Sequence, residues 1–186
     1  MTRLQNAFRP IAASMLTLAL AAILPAASAQ TAASAGAATP AAASQGIVRH
    51  KLPNSDFPIA QAVTLPAGTT IHFISGQVPP PVNKEADQNS LAAFGDTKTQ
   101  TVGVLTKIQD ILTGMGLSMG DVVKMQVFLV GDPAKAGKGD VAGFMEGYTR
   151  FFGGAQPNLP ARAVVQVAGL SNPGWLVEIE VVAAKK

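Results

Sequence analysis

Between positions 96 and 130 the apolar residues change their spacing once, from three-and-four to two, and that change limits what the chain can become. Val102, Leu105, Ile108, Leu112 and Met115 recur at helical spacing and form one stripe, with Asp96 placed to cap the first turn and Gly116 to end the last. From Val122 to Val130 the side chains alternate, with Val123, Met125, Val127 and Leu129 on one face and Lys124, Gln126 and Phe128 on the other. A helix followed by a strand with an apolar face to cover predicts helices packed on a sheet.

The rest of the chain repeats the theme. A loop through Asp132-Pro133 leads to a second helix whose buried side is Val141, Phe144, Tyr148 and Phe151, stopped by Gly153-Gly154. Strands at 161–168 and 175–183 follow. Upstream, two extended stretches between 47 and 75 flank Pro66-Ala67-Gly68, and a hairpin is the simplest reading. Pro79, Pro80 and Pro81 end the second stretch, and a loop runs to Asp96. The expected order is β-β-α-β-α-β-β, an α+β domain with a single mixed sheet and two helices packed on one face.

The first forty-five residues read differently. Arg3 and Arg9 precede an apolar run over 11–24, and Ala27-Ser28-Ala29 has the small-x-small pattern of a cleavage site, so 1–29 reads as a signal peptide. The run is shorter than the roughly twenty residues that span a bilayer. Together with Pro25 and the cut site, this favours cleavage over an uncleaved anchor, so no stable membrane insertion is expected afterwards and the expected location is the periplasm. Residues 30–45, almost entirely Ala, Ser, Thr and Gly, cannot bury enough surface to offset the entropy of ordering and read as a flexible tether. The folded domain is expected at 46–186.

Composition excludes several chemistries. Without Arg3 and Arg9, twelve Lys and Arg face eleven Asp and Glu, and no basic stripe marks a nucleic-acid surface. There is no cysteine, hence no disulfide, thiolate nucleophile or cysteine-ligated metal. With His50 and His72 alone, and no paired-histidine or Asp-rich calcium pattern, no metal site is expected; His72, inside a strand, reads as structural. No phosphate loop, dinucleotide fingerprint or nucleophile elbow is present.

The informative residues are charges inside apolar strands. Arg162 shares a strand face with Val164 and Gln166, opposite Ala163, Val165 and Val167; Glu178 and Glu180 lie opposite Val177, Ile179 and Val181. If the helices cover the apolar faces, these charges project to the other side of the sheet. An arginine on a rigid strand can take a carboxylate through two parallel hydrogen bonds, and a nearby glutamate can orient or deprotonate water. That outlines a site for a small anion undergoing hydrolysis; an ordinary Arg–Glu pair between neighbouring strands is the alternative.

The segments Ser75-Gly76-Gln77-Val78-Pro79, Met115-Gly116-Leu117-Ser118 with Asp121-Val122-Val123-Lys124, Tyr148 with Phe151-Phe152, Pro160-Ala161-Arg162 and Val177-Glu178-Ile179-Glu180 occur in the order found in the reactive intermediate deaminase (Rid, YjgF-type) family, which the chain resembles from about position 47 onward. The resemblance implies a chorismate-mutase-like fold and a homotrimer with ligand clefts between subunits. It implies that Arg162 binds the carboxylate of a small 2-imino or 2-enamino acid, that Glu178 positions the water, and that the backbone around Gly76 helps hold the substrate. Ammonia and a 2-keto acid would leave, with no cofactor. At other site positions the chain departs from the pattern: Ile59 replaces a tyrosine, Met145 an asparagine and Val164 a cysteine, each making the cleft less polar. Noncatalytic binding of small carboxylates, or hydrolysis of a different small substrate, is the alternative that these departures raise.

Overall fold

The computed structural model describes residues 46–154 and 156–186; the expected signal peptide and tether lie outside the described residues. Six strands, β1 (Val48–Lys51), β2 (Ala60–Thr64), β3 (Thr70–Gln77), β4 (Val122–Val130), β5 (Ala161–Val167) and β6 (Val177–Lys185), form one sheet in the order β1-β2-β5-β4-β6-β3. The helices are α1 (Leu91–Phe94), α2 (Thr97–Gly114) and α3 (Val141–Tyr148). The sheet is mixed, since β5 runs parallel to both β4 and β2 while the other pairings are antiparallel. The α+β architecture expected from the sequence is therefore present, with a third, one-turn helix inside the expected 79–96 loop.

Helix α2 follows from the residues that predicted it. Asp96 Oδ1 accepts from Thr99 N at 2.8 Å, satisfying one of the free amides of the first turn. At the other end Gly116 takes φ 71°, and Leu117 N donates to Leu112 O at 2.8 Å. Val104, Leu105, Ile108 and Leu112 are fully buried against Met125, Val127 and Leu129 of β4 and Val177, Ile179 and Val181 of β6. Met115, expected in this stripe, is 47% exposed because it sits at the cap, beyond the last helical turn. In α3, Phe144 and Tyr148 are buried as expected, with Phe152 beyond the helix; Val141, on the first turn, is exposed and Phe151 is half-buried.

The N-terminal strands depart from the expectation. The region 47–75 holds three strands rather than two, and no hairpin forms across Pro66-Ala67-Gly68. β2 lies between β1 and β5, and β3 pairs with β6 on the opposite edge of the sheet. The five residues of β2 offer little apolar surface, whereas the nine-residue β6 gives the eight-residue β3 a ladder along nearly its whole length. Three strands separate β2 from β3, a gap of about 19 Å in a flat sheet at ~4.8 Å per strand. The link from Thr64 to Thr70 is folded by a turn in which Thr69 N and Oγ1 both donate to Pro66 O. So short a connection requires the sheet to curl, and Val63 and Leu65 from one side do line a cavity of ≈ 350 Å³ together with Ile71 and Phe73 from the other.

Arg49 fastens the β1 end of this curl. Its Nη1 donates to Val122 O and Leu159 O, both at 2.8 Å, and its Nη2 to Gly120 O at 2.7 Å. Three backbone carbonyls thus share one cation, which ties β1 to the start of β4 and the approach to β5.

Gly147 sets the approach of α3 to α2. A Cβ there would stand 2.7 Å from Thr101 Cβ and 3.2 Å from Lys98 O, and Thr101 is fully buried. Gly147→Ala is expected to destabilise the fold by about 1–3 kcal/mol through overpacking. Urea denaturation measures this, and an unchanged midpoint would mean that the two helices separate freely.

Candidate anion-binding site

Pro160 ends the loop before β5 and accepts from Ala60 N at 2.9 Å, so the strand begins at Ala161 and carries Arg162 as its second residue. In the parallel ladder Arg162 lies beside Met125, Val164 beside Val127 and Gln166 beside Leu129. Those β4 residues face the helices, so Arg162 does too. This corrects the expectation that its guanidinium projects from the uncovered side of the sheet. It is Ala163, Val165 and Val167, the more apolar set, that face outward, and Val165 is 42% exposed.

The guanidinium sits beneath α3 in an aromatic box. Its carbon lies 4.2 Å from the Tyr148 ring centroid, 5.1 Å from that of Phe144 and 5.5 Å from that of Phe57. Each such contact is worth roughly 0.5–2 kcal/mol depending on desolvation. Met145 Sδ is 3.2 Å from Nη2, but a thioether is a weak acceptor. Nη1 is buried and has no hydrogen-bond partner. No carboxylate pairs with Arg162 among the described residues, whose single salt bridge joins Lys98 to Glu146. Burial lowers the Arg162 pKa, and the neighbouring Tyr148 opposes that shift. The site is thus a desolvated cation whose hydrogen-bonding capacity the protein leaves partly unused, an arrangement that favours an anion.

Arg162 also lines a cavity of ≈ 360 Å³ with Leu52, Ile59, Gln61 and Lys124. Ile59 is therefore brought to the arginine, as is Met145; Val164 follows on the same strand face and packs against the core. Phe57, from the loop between β1 and β2, was not singled out by sequence because a proline-flanked loop gives no periodicity. Phe144 and Tyr148 were read as core residues, and their four-residue spacing places both rings over the cation as well.

Glu178 and Gly76 form a second group. Glu178 is registered with Phe128 on the face opposite the helices, half-buried and without a hydrogen-bond partner among the described residues. β3 pairs Ile74 with Val181 and then Gln77 with Ile179, so Ser75 and Gly76 together oppose Glu180 in a bulge. A Cβ at Gly76 would overlap Glu178 Oε1, and only glycine lets the carboxylate lie against this bulge. Within one chain the structure joins Glu178 to Gly76 and does not join either to Arg162. β4 separates β5 from β6, and the two charges face opposite sides of the sheet, so they are not a cross-strand pair.

Tyr148, the chain's single tyrosine, donates from its hydroxyl to Pro58 O at 2.8 Å, holding the loop that carries Phe57. Burial raises its pKa to about 12, with Arg162 pulling the other way. A raised folded-state pKa means the associated stability is present below the unfolded value near 10 and is lost as pH rises through 12. Ultraviolet titration should therefore show one phenolate midpoint near 12 in the folded protein, moving to about 10 in denaturant. A folded-state midpoint at the unfolded value would place the hydroxyl in solvent and dissolve the box.

The family profile described as Endoribonuclease L-PSP matches residues 53–185. A RutC family protein of Pyrococcus abyssi is 33% identical over 144 residues, covering 77% of this chain and 99% of its own. The 2-iminobutanoate/2-iminopropanoate deaminase of Salmonella typhimurium is 29% identical over 143 residues, covering 77% and 99%. The crystal structure of Escherichia coli TdcF with bound serine superposes with a TM-score of 0.50 at 30% identity, covering 76% of this chain and 99% of that one. The matched span holds both the Arg162 box and the Gly76–Glu178 bulge, and the chain belongs to the Endoribonuclease L-PSP family, which includes the reactive intermediate deaminases.

Proposed function

We propose that the protein hydrolyses small 2-imino or 2-enamino acids to 2-keto acids, with release of ammonia, at a cleft between subunits of a homotrimer. The observation that carries this reading is the buried Arg162 guanidinium with an unpartnered Nη1 and no acid beside it. A substrate carboxylate supplies the missing acceptor and fixes the C2 carbon in place, which replaces diffusional encounter by a set geometry. An enamine first takes a proton at C3 and loses one from nitrogen to become the imine. Water then adds to C2 across the C=N bond, and the nitrogen takes up protons and departs as ammonia, leaving the C=O of the 2-keto acid. Glu178 positions and deprotonates that water.

Because Arg162 and Glu178 face opposite sides of one sheet, the reading draws the glutamate, with the Gly76 bulge, from a neighbouring copy. The uncovered sheet face supports such an assembly: Phe73, 81% exposed, lies on it, as do Val165 and the half-buried Glu178. The reading also takes the mature chain to be exported to the periplasm after loss of residues 1–29, and to work without a cofactor. The apolar Ile59 and Met145 beside Arg162 favour a second reading, in which the site binds small carboxylates without turnover.

The test is ammonia release from 2-aminoacrylate generated in situ, with light scattering to count subunits. Wild type should exceed buffer clearly. Arg162→Ala should lower kcat/KM by about 100-fold or more, and Glu178→Gln should lower kcat by ~10²–10⁴-fold with a smaller change in KM. Release no faster than buffer removes hydrolysis of this substrate; 2-keto acid binding that Arg162→Ala abolishes would then establish the noncatalytic reading.

A further inference from the structure

We infer that Met145 is an oxidation site whose conversion to the sulfoxide closes the Arg162 anion site, an inference that rests on the carboxylate-binding role given to Arg162 above. Its Sδ stands 3.2 Å from Arg162 Nη2, and Nη1 of the same guanidinium has no partner. A thioether competes poorly for these donors, so in the reduced protein they are available to a ligand carboxylate. A sulfoxide carries its oxygen on that same sulfur and is a strong acceptor. Held against a desolvated guanidinium, it makes a charge-assisted hydrogen bond. The oxidised side chain supplies, at fixed range, the kind of oxygen that the ligand has to bring from solution.

The oxidant class is a peroxide. A lone pair on Sδ attacks one oxygen of hydrogen peroxide, the O–O bond breaks, and proton transfer to the departing hydroxide releases water. Sulfur gives up two electrons and the peroxide accepts them. With no cysteine in the chain, no thiol intercepts the reagent. Met145 is half-buried, whereas Met119 and Met125 are buried in the core. Met115, at the end of α2, is exposed and reports the extent of treatment independently of the site.

The experiment treats the mature protein with hydrogen peroxide and scores each methionine by peptide mass mapping. Affinity for 2-oxobutanoate is measured by calorimetry before treatment, after it, and after methionine sulfoxide reductase. Oxidation of Met145 should weaken binding by about tenfold or more, as expected when a charge-assisted hydrogen bond is taken from the ligand, and the reductase should restore it. In Met145→Leu, treatment should oxidise Met115 yet leave the ratio of treated to untreated affinity at one. Unchanged or tighter binding with Met145 oxidised overturns the inference. So does an equal loss in Met145→Leu, or a Met145 that stays reduced while Met115 is fully oxidised. Untreated protein that binds no 2-keto acid overturns the carboxylate-binding reading itself, an outcome that the starting calorimetry separates from the other three.

Discussion

A guanidinium taken out of water keeps its charge, because arginine does not deprotonate in proteins, and its five donors then need acceptors. At Arg162 the surroundings supply three ring faces and one sulfur. The rings answer the charge through their quadrupoles but accept hydrogen bonds poorly, so electrostatics and hydrogen bonding are satisfied unequally. Arg49 shows the alternative within the same fold. Also partly buried, it gives its donors to three backbone carbonyls and acts as a structural clamp. The contrast between two arginines, one saturated by the backbone and one faced with weak acceptors, is what separates architecture from site here.

Helix packing holds the box in place. Gly147 lets α3 approach α2 closely, which fixes the height of Phe144, Met145 and Tyr148 above the sheet. The Tyr148 hydroxyl reaches across to Pro58 and brings the Phe57 loop over the cation from the other side. Loop, helix and strand therefore meet at one residue, although the loop lies 90 positions before the tyrosine that holds it.

Much of this was legible in the sequence. The switch from helical to alternating spacing located α2 and β4 closely, and Asp96 and Gly116 act as the cap and terminator that their chemistry predicts. What alternation could not say is which face of β5 meets the helices. Polarity pointed the wrong way, since Arg162, Val164 and Gln166 turn inward while Ala163 and Val165 turn out. The parallel register with β4 decided the matter, and such register is a tertiary property. The hairpin reading of β2 and β3 failed for a related reason: a proline-glycine turn reports a reversal, but partner choice depends on ladder length elsewhere in the chain. Ile59 and Met145 come from ordered motifs rather than from spacing, Glu178 is marked by both, and Phe57 carries no signal of either kind.

The opposed placement of Arg162 and Glu178 also separates the two functional readings by what each demands of the assembly. Carboxylate binding needs only the box, whose rings, sulfur and loop all belong to one chain. Hydrolysis needs a base within hydrogen-bond reach of water at C2, and within the chain the sheet itself stands between that base and the anchor. The curl that brings β2 towards β3 does not remove this barrier, because it bends the sheet without exchanging its faces. On the hydrolytic reading turnover is therefore tied to association between copies in a way that binding is not, and the exposed Phe73 and Val165 lie on the same uncovered face as the glutamate that a second copy would contribute.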